Sequence, residues 1–383
     1  MQYRKFGKTG KMISALGFGC MRLPEIEKDG QKLVDEEKFL PMFQKAVREG
    51  VNYFDTAHGY CNEQSQYALG RAAKTVKRGD IMLATKQPLH LIKETSDYRK
   101  VLEEQMRRMD VDYIDFYHFH GIDKGAMDGH IKPMGLMKEA RKAIDEGLIR
   151  HMSFSFHGDP KDMRHIIEQG EIFSSVLLQY NLLDRSHEDA IAYLAEKGVG
   201  VVVMGPVAGG RLAAPSSLAD KLFGDKNPET AELAIKFVLG NPNVSCALSG
   251  MGSMKMLDQN LKVGKMEVPM TAEDFEKAKK LMVDLKKFAD LYCTGCDYCK
   301  PCPQNINIPH IFDAYTHHNV YGMTALGKDR YRQVKEGHKD WHGNLISEPV
   351  SKCTECGECE KKCPQNIKII EKLKEVDQIF ANL

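Results

Sequence analysis

At 383 residues the chain is too long for one ordinary domain and suits one large domain with an appendage. Its 54 basic residues against 53 acidic ones give no global pull towards nucleic acid or a membrane surface. No apolar run approaches the roughly 20 residues a membrane span needs, and the start, Met-Gln-Tyr-Arg-Lys-Phe-Gly-Lys, lacks an apolar signal core, so a soluble cytoplasmic protein is expected.

Residues 2–13 carry Gly7 and Gly10 between short alternating stretches, which predicts an N-terminal hairpin. From there the pattern is apolar run, loop, helical segment, repeated. Eight runs stand out, at 15–20, 52–55, 81–86, 113–120, 149–156, 175–180, 198–204 and 245–250. Between them lie residues with helical spacing, such as Phe39, Met42, Phe43 and Ala46, or Ala231, Ala234, Ile235 and Val238. Near-continuous apolar strands alternating with helices indicate an α/β protein with a parallel sheet covered on its faces. Eight such units match a (β/α)8 TIM barrel. An open doubly wound sheet is the other reading. It is weakened because no Gly-x-Gly-x-x-Gly follows an early strand; Gly17-Phe-Gly19 lacks the third glycine and opens no helix.

The second run leads into Asn52-Tyr-Phe-Asp-Thr-Ala-His-Gly-Tyr60. It puts a carboxylate, Asp55, at a strand end and a phenol, Tyr60, just past the turn. An Asp there is also a common N-cap for the next helix. Asp-Thr-Ala-x-x-Tyr, however, resembles the signature of the aldo-keto reductases, whose tetrad is Asp, Tyr, Lys and His. Lys86 ends the third run and His120 the fourth, and barrels of this kind gather their active sites at the strands' C-terminal face. The chemistry asks for these residue types. A hydride added to a carbonyl carbon leaves an alkoxide that must be protonated, and a phenol of pKa about 10 is an acid at neutral pH that needs help to cycle as a base. Tyr60 is therefore the expected acid/base, Lys86 its tuner, Asp55 the orienter of Lys86, and His120 a donor to the carbonyl oxygen. His118 shares the alternation parity of His120 and reads as a satisfied histidine of the barrel core. His58 in the turn and His157 after the fifth run face the substrate or merely the surface; the sequence leaves both open.

Further along, the resemblance implies a nicotinamide cofactor, NAD(P)H. Ser155 and Gln179 match the family's carboxamide ligands, although the usual Asn after the serine is Phe156 here. Met204 stands where an aromatic residue usually stacks on the nicotinamide. Gly205, Pro206, Gly209 and Arg211 belong to a loop whose glycines let backbone amides approach a pyrophosphate, or form a plain turn. Ser249-Gly-Met-Gly-Ser-Met-Lys-Met-Leu-Asp-Gln-Asn260 resembles the adenosine-phosphate segment, with Gly250, Ser253, Gln259 and Asn260 at the contact positions. Gly250 and Met256 replace the Lys and Arg that usually meet a 2′-phosphate, leaving Lys255 nearby, so NADH or mixed use is expected.

Helical spacing recurs at 271–290, and then the composition changes. Of eleven cysteines, only Cys20, Cys61 and Cys246 lie outside two runs, Cys293-x2-Cys296-x2-Cys299-x2-Cys302-Pro and Cys353-x2-Cys356-x2-Cys359-x3-Cys363-Pro. With no secretion signal, this clustering favours metal ligation over disulfides. The second run has the spacing of bacterial ferredoxins, where thiolates hold a [4Fe–4S] cluster and each run's fourth Cys serves the other cluster. That predicts Cys293, Cys296, Cys299 and Cys363 on one cluster and Cys353, Cys356, Cys359 and Cys302 on a second. Zinc prefers separated Cys-x2-Cys pairs. The first run has two residues rather than three before Cys302, and residues 303–352, with Trp341, exceed what a minimal ferredoxin needs; helices are expected after each run.

The expected organisation is a barrel at 1–287 and a small, mostly helical ferredoxin-like domain at 288–383. The expected function is NAD(P)H-dependent reduction of a small-molecule aldehyde or ketone, or the reverse oxidation, with two [4Fe–4S] clusters for electron transfer and a possible redox partner protein. Nucleic acid and membrane partners are not expected. The alternatives are a nucleotide-binding electron-transfer protein passing single electrons to a partner, and a non-catalytic redox sensor of the barrel family, which an intact tetrad disfavours.

Overall fold

The computed structural model describes residues 1–28, 31–208, 212, 230–287, 293, 298–340, 343–363 and 366–382. The chain opens with an antiparallel hairpin, β1 (Tyr3–Lys5) and β2 (Met12–Ser14), and then enters the first barrel strand, β3 (Leu16–Gly19). A second hairpin, β4 (Glu25–Lys28) and β5 (Gln31–Val34), intervenes before β6 (Tyr53–Asp55), β7 (Met82–Gln87), β8 (Ile114–Ile122), β9 (Ile149–Phe156), β10 (Phe173–Gln179), β11 (Gly200–Met204) and β12 (Cys246–Gly250). Strands β3 and β6–β12 are parallel and close into a barrel in sequence order, β12 pairing back onto β3. Each of the eight apolar runs is thus a barrel strand, and the open sheet is excluded. The β4–β5 hairpin was not legible in the sequence because its strands, Glu-Ile-Glu-Lys and Gln-Lys-Leu-Val, are mostly exposed and carry no clean alternation.

Parity sorts the side chains. Phe54 and Leu83 pack outward with Phe18 of β3 and with Phe39 and Phe43 of the covering helix Glu36–Arg48. Tyr53, Met82, Ala84, Phe116, Leu177, Val202, Cys246 and Leu248 face the interior and pack together. The N-terminal hairpin contributes Phe6 to this interior, its ring 4.7 Å from Phe116 and 5.9 Å from Tyr53. Burying a phenylalanine contributes about 1.5–3 kcal/mol. Gly200 permits it: a Cβ there would lie 2.2 Å from the Phe6 ring.

By contacts the chain divides into two compact units, Met1–Gly209 with Ala234–Phe275, and Gly210–Leu233 with Glu276–Leu383. In the second, helices Ile308–Tyr315, Thr324–Lys335 and Ile369–Ala381 bury Ile311, Phe312, Tyr315, Tyr331, Leu373, Val376 and Phe380, and Tyr331 stacks on Phe380 at 4.7 Å. Six cysteines, Cys293, Cys299, Cys302, Cys353, Cys359 and Cys363, lean on this core. Helices follow both cysteine runs, and residues 303–352 supply a further helix; Trp341 lies outside the described residues. Among the described residues, no helix is long and apolar enough to cross a membrane.

The helix after β6, Ser65–Ala73, meets Asp97–Met109 so closely that a Cβ on Gly70 would sit 2.3 Å from the Met109 carbonyl oxygen. Backbone cannot yield there as a side chain can. Gly70→Ala is expected to destabilise the protein by about 1–3 kcal/mol, read as a lower urea midpoint at constant slope. An unchanged midpoint overturns this packing account.

Candidate active site

Register brings the polar groups together. In the β6–β7 ladder Asp55 lies opposite Ala84, and Lys86 stands two residues further along the same inward-facing row. Lys86 is opposite His118 in β8, and His118 is opposite Ser153 in β9. The strand ends of the barrel therefore carry a polar layer above the apolar one. Lys86 Nζ donates to Asp55 Oδ1 at 2.5 Å and to the Thr56 carbonyl at 2.8 Å, with both partners of the ion pair buried. An ammonium has three donors, and Nζ also lies 4.6 Å from the centre of the Tyr60 ring. Tyr60 meets His120 edge-on, their centroids 6.3 Å apart. Asp55, Lys86, Tyr60 and His120 thus share one end of the barrel.

The Tyr60 loop is held from below. Ser65 Oγ donates to the Cys20 carbonyl at 2.7 Å and lies 2.7 Å from Thr56 Oγ1, while Gln66 Nε2 donates to Thr85 Oγ1 at 2.9 Å. Straight after Tyr60, Cys61, Asn62 and Glu63 take left-handed backbone, with φ of 51°, 52° and 66°. Three successive non-glycine residues in that region store strain of order 1 kcal/mol each, and the anchored helix start holds them there. Nothing in the residue types announces this turn.

His120 sits at a break in the β8–β9 ladder, where the register shifts between Phe119 and Ile122. Gly121 follows with φ of 66° and donates its N–H to Ser155 Oγ at 2.7 Å. Ser155 is buried and so fixes the corner that aims His120. His118 lies deeper, fully buried, its Nε2 3.3 Å from the Tyr53 hydroxyl and 3.9 Å from Asp55 Oδ2, consistent with a core position.

Burial dominates the protonation states. It raises the Asp55 carboxyl, an effect only partly offset by Lys86. It works against the charged form of Lys86 too, but Asp55 and Tyr60 outweigh it and hold the ammonium above its ordinary value. The Tyr60 phenol is pushed up by burial and by Asp55, while Lys86 pulls it back. His120 is pushed down to about 3 by burial, then by Lys86, His157 and His90. His118 falls to about 3 for the first two reasons.

Of the residues matched to cofactor contacts, Ser155, Gln179, Met204 and Gly250 occupy inward-row positions at or near the ends of β9 to β12. Gln179 is exposed and its Nε2 donates to Asp184 Oδ2 at 2.7 Å. Gly205 has φ of 62°, and Pro206 beside it is buried. Gly209 and Arg211 lie outside the described residues. Ser253 caps the helix Met254–Gly264, accepting from Met256 N at 3.3 Å. Gln259 is half-buried on that helix, and Asn260 is buried, donating to Ser249 Oγ at 3.0 Å. Sequence reasoning missed two residues here. Asn181 Nδ2 donates to the Gly205 carbonyl at 3.1 Å while its Oδ1 accepts from Leu183 and Asp184, tying two rim loops together. Arg22 runs its stem along Gly250, 3.5–3.7 Å from where a side chain there would begin, adding a second basic residue to Lys255 near that segment.

In the second unit, Cys302, Cys353, Cys356 and Cys359 line one pocket, with Cys299 also on its wall. Cys302 from the first run stands with three thiols of the second. Cys296 lies outside the described residues. Among the described residues, no three His, Cys, Asp or Glu side chains converge tightly enough for a single bare ion.

Residues 15–282 match the Aldo/keto reductase family, and residues 292–368 match the 4Fe-4S dicluster domain. The chain is 29% identical over 290 residues to L-galactose dehydrogenase of Arabidopsis thaliana, covering 68% of this chain and 87% of that one. It is 26% identical over 313 residues to probable aldo-keto reductase 1 of Glycine max, covering 71% and 86%. The solved holo form of aldo-keto reductase AKR11C1 from Bacillus halodurans superposes with a TM-score of 0.62 at 28% identity, covering 73% of this chain and 96% of that one. An aldo/keto reductase from Klebsiella pneumoniae in complex with NADP and acetate shares the fold at 21% identity, with a TM-score of 0.61 and coverage of 73% and 95%.

A histidine whose folded pKa is about 3, against about 6.5 when unfolded, binds fewer protons folded than unfolded between those values. His118 and His120 therefore make stability fall as pH drops from about 6.5 towards 3. The His120 imidazole proton resonances are expected to show no titration between about pH 5 and 8. An inflection near pH 6.5 assigned to His120 overturns this account.

Proposed function

Since the chain belongs to the aldo/keto reductase family of oxidoreductases and carries a 4Fe-4S dicluster domain, we propose that it reduces an aldehyde or ketone to the alcohol, or runs the reverse oxidation, at Tyr60. The observation that carries this is the buried Asp55–Lys86 pair with its ammonium against the Tyr60 ring. A bound nicotinamide supplies the hydride. Tyr60, protonated at neutral pH, gives its proton to the carbonyl oxygen as charge develops there. Lys86 keeps the resulting phenolate within reach, and Asp55 holds Lys86 in place. His120, neutral, donates a hydrogen bond to the same oxygen.

The residues at the barrel rim fit a dinucleotide. Ser155, Gln179, Met204 and Gly250 form a polar-to-small arc beside His120, the left-handed Gly205 turns the chain just past the end of β11, and the Gly250–Ser253 turn opens a capped helix of eleven residues. Gly205, Pro206, Ser253, Gln259 and Asn260 complete the proposed contacts, with Gly209 and Arg211 from the loop beyond. Gly250 and Met256 offer no charge to a 2′-phosphate, while Arg22 and Lys255 offer one nearby.

We assign the barrel to residues 1–287 and the second domain to 288–383, and the second domain fits two [4Fe–4S] clusters. Thiols are the donors such clusters take, and the cavity framed by Cys302, Cys353, Cys356 and Cys359 supports the interleaved pairing of the two runs. Cys293, Cys296, Cys299 and Cys363 hold the other cluster in this reading. The clusters pass electrons to or from a partner protein.

Tyr60→Phe deletes the proton donor and little else. It is expected to lower carbonyl reduction by about 10²–10⁴-fold while nicotinamide binding, measured by fluorescence titration, stays nearly unchanged. A variant that keeps most of its turnover sinks the tetrad assignment.

Cys302→Ala removes a thiol that the first run lends to the second cluster. Anaerobically purified wild type should carry about eight irons per chain, and the variant about four, with the loss assigned to the second run by its spectrum. Eight irons retained in the variant would remove Cys302 from the ligand set.

A further inference from the structure

The residues that follow Tyr60 are gripped from outside the barrel as well as from below. Between β3 and the helix Glu36–Arg48 the chain leaves the barrel end at Cys20 and Met21, runs out through the β4–β5 hairpin and returns at Val34. Asp35 closes the neck of this excursion, its N–H donating to the Pro24 carbonyl at 2.8 Å. β5 pairs with β4 along one edge. On its other edge the Val34 N–H donates to Gln64 Oε1 at 2.8 Å, and the Lys32 carbonyl accepts from Gln64 Nε2 at 3.4 Å. A carbonyl and the N–H two residues on are the pair that a neighbouring parallel strand takes. One side-chain amide therefore stands in for a third strand and covers an edge that would otherwise be open. At the start of the excursion, Cys61 Sγ lies 3.6 Å from the carbonyls of both Cys20 and Met21.

These grips bear on Tyr60 through two backbone bonds. The Gln64 N–H donates to the Cys61 carbonyl at 3.1 Å, and the Ser65 N–H donates to the Tyr60 carbonyl at 3.2 Å. Gln64 thus closes the turn that Tyr60 opens. Between them Cys61, Asn62 and Glu63 hold φ of 51°, 52° and 66°, conformations that non-glycine residues keep only when their surroundings over-determine them. The anchors from below act through Ser65 and Gln66, beyond this run. Gln64 stands at its end and ties it to a second piece of chain. A released turn would relax towards ordinary backbone and carry the Tyr60 ring away from Lys86 Nζ, which now lies 4.6 Å from its centre.

Resting on the carbonyl-reduction reading, we propose that Gln64 is a positioning residue for proton transfer: bound as a rung on the open edge of β5, its carboxamide clamps the Tyr60 turn to the β4–β5 hairpin and so keeps the phenol against Lys86. Gln64 touches no reacting atom. It acts on the rate rather than on nucleotide binding, since the rim residues matched to the nicotinamide stand on other strands, β9 to β12.

The full chain, anaerobic and with its clusters intact, carries the test. Gln64→Leu keeps the bulk of the side chain and removes both bonds to β5. Gln64→Glu keeps the acceptor for the Val34 N–H and loses the donor, and it serves as the milder variant should leucine leave no folded protein. Hydride transfer is read in a single turnover as loss of nicotinamide absorbance, with NADH and with NADPH, against butanal, 4-nitrobenzaldehyde and cyclohexanone. A misplacement of about 1 Å can cost about 10²-fold, so Gln64→Leu should slow transfer by about that factor and Gln64→Glu by less. The nicotinamide Kd, from fluorescence titration, should stay unchanged. Hydrogen exchange read by mass spectrometry follows the clamp without any turnover: in Gln64→Leu the amides of 31–34 and of 60–66 should exchange faster together, with the barrel strands unmoved. A merely structural residue would lower the urea midpoint and leave transfer per folded molecule intact, and that result overturns the proposal. Exchange that rises in one segment without the other overturns it too. A wild type that reduces none of these carbonyls with either nucleotide defeats the reduction reading instead, and the paired exchange then decides the clamp by itself.

Discussion

The ion pair between Lys86 and Asp55 is the constraint on which the barrel's polar end depends. Both residues are about 1% exposed, and removing one partner of such a pair typically costs about 3–5 kcal/mol because the other charge is left alone. The pair is not optimised for stability. Asp55 Oδ2 has no hydrogen bond and faces His118 at 3.9 Å. Apolar residues of the same volume often serve a core equally well. What they would not supply is a fixed ammonium under a phenol. The position of Nζ against Tyr60 gives the burial of two charges a chemical reason.

That position requires several elements to agree. The ladder register sets Lys86 two residues beyond the partner of Asp55, so a slip of one residue would turn the ammonium outward. Tyr60 comes from a loop rather than a strand, and its placement depends on Thr56, Ser65, Gln66 and the left-handed run at Cys61–Asn62–Glu63. His120 depends on a ladder break pinned by Ser155. The rigid barrel supplies two members of the tetrad, and two anchored irregularities supply the others.

This division explains what the sequence discloses. Strand runs were legible because buried parallel strands are apolar throughout, and Lys86 and His120 stood out as polar residues ending them. The N-terminal hairpin was legible from Gly7 and Gly10. The β4–β5 hairpin was not, because exposed charged strands leave no pattern. Asn181 and Arg22 were missed since an Asn in a loop and an Arg after a strand are ordinary, and only their neighbours, the Gly205 carbonyl and Gly250, reveal them. Cys302 was expected beside Cys353, Cys356 and Cys359 from the ferredoxin spacing alone, and the fold lines one pocket with all four.

The two cysteine runs and the tetrad also divide the chemistry by electron count. In the proposed reaction a hydride moves two electrons together, and every group in the tetrad manages charge or a proton: Tyr60 a proton, Lys86 and Asp55 the charge that follows it, His120 the oxygen. None of them is an oxidisable centre suited to separate the pair. An iron–sulfur cluster is a one-electron device, so the two proposed above would together match the electron count of one hydride but not its manner of transfer. The barrel's proton chemistry therefore stands by itself in this reading.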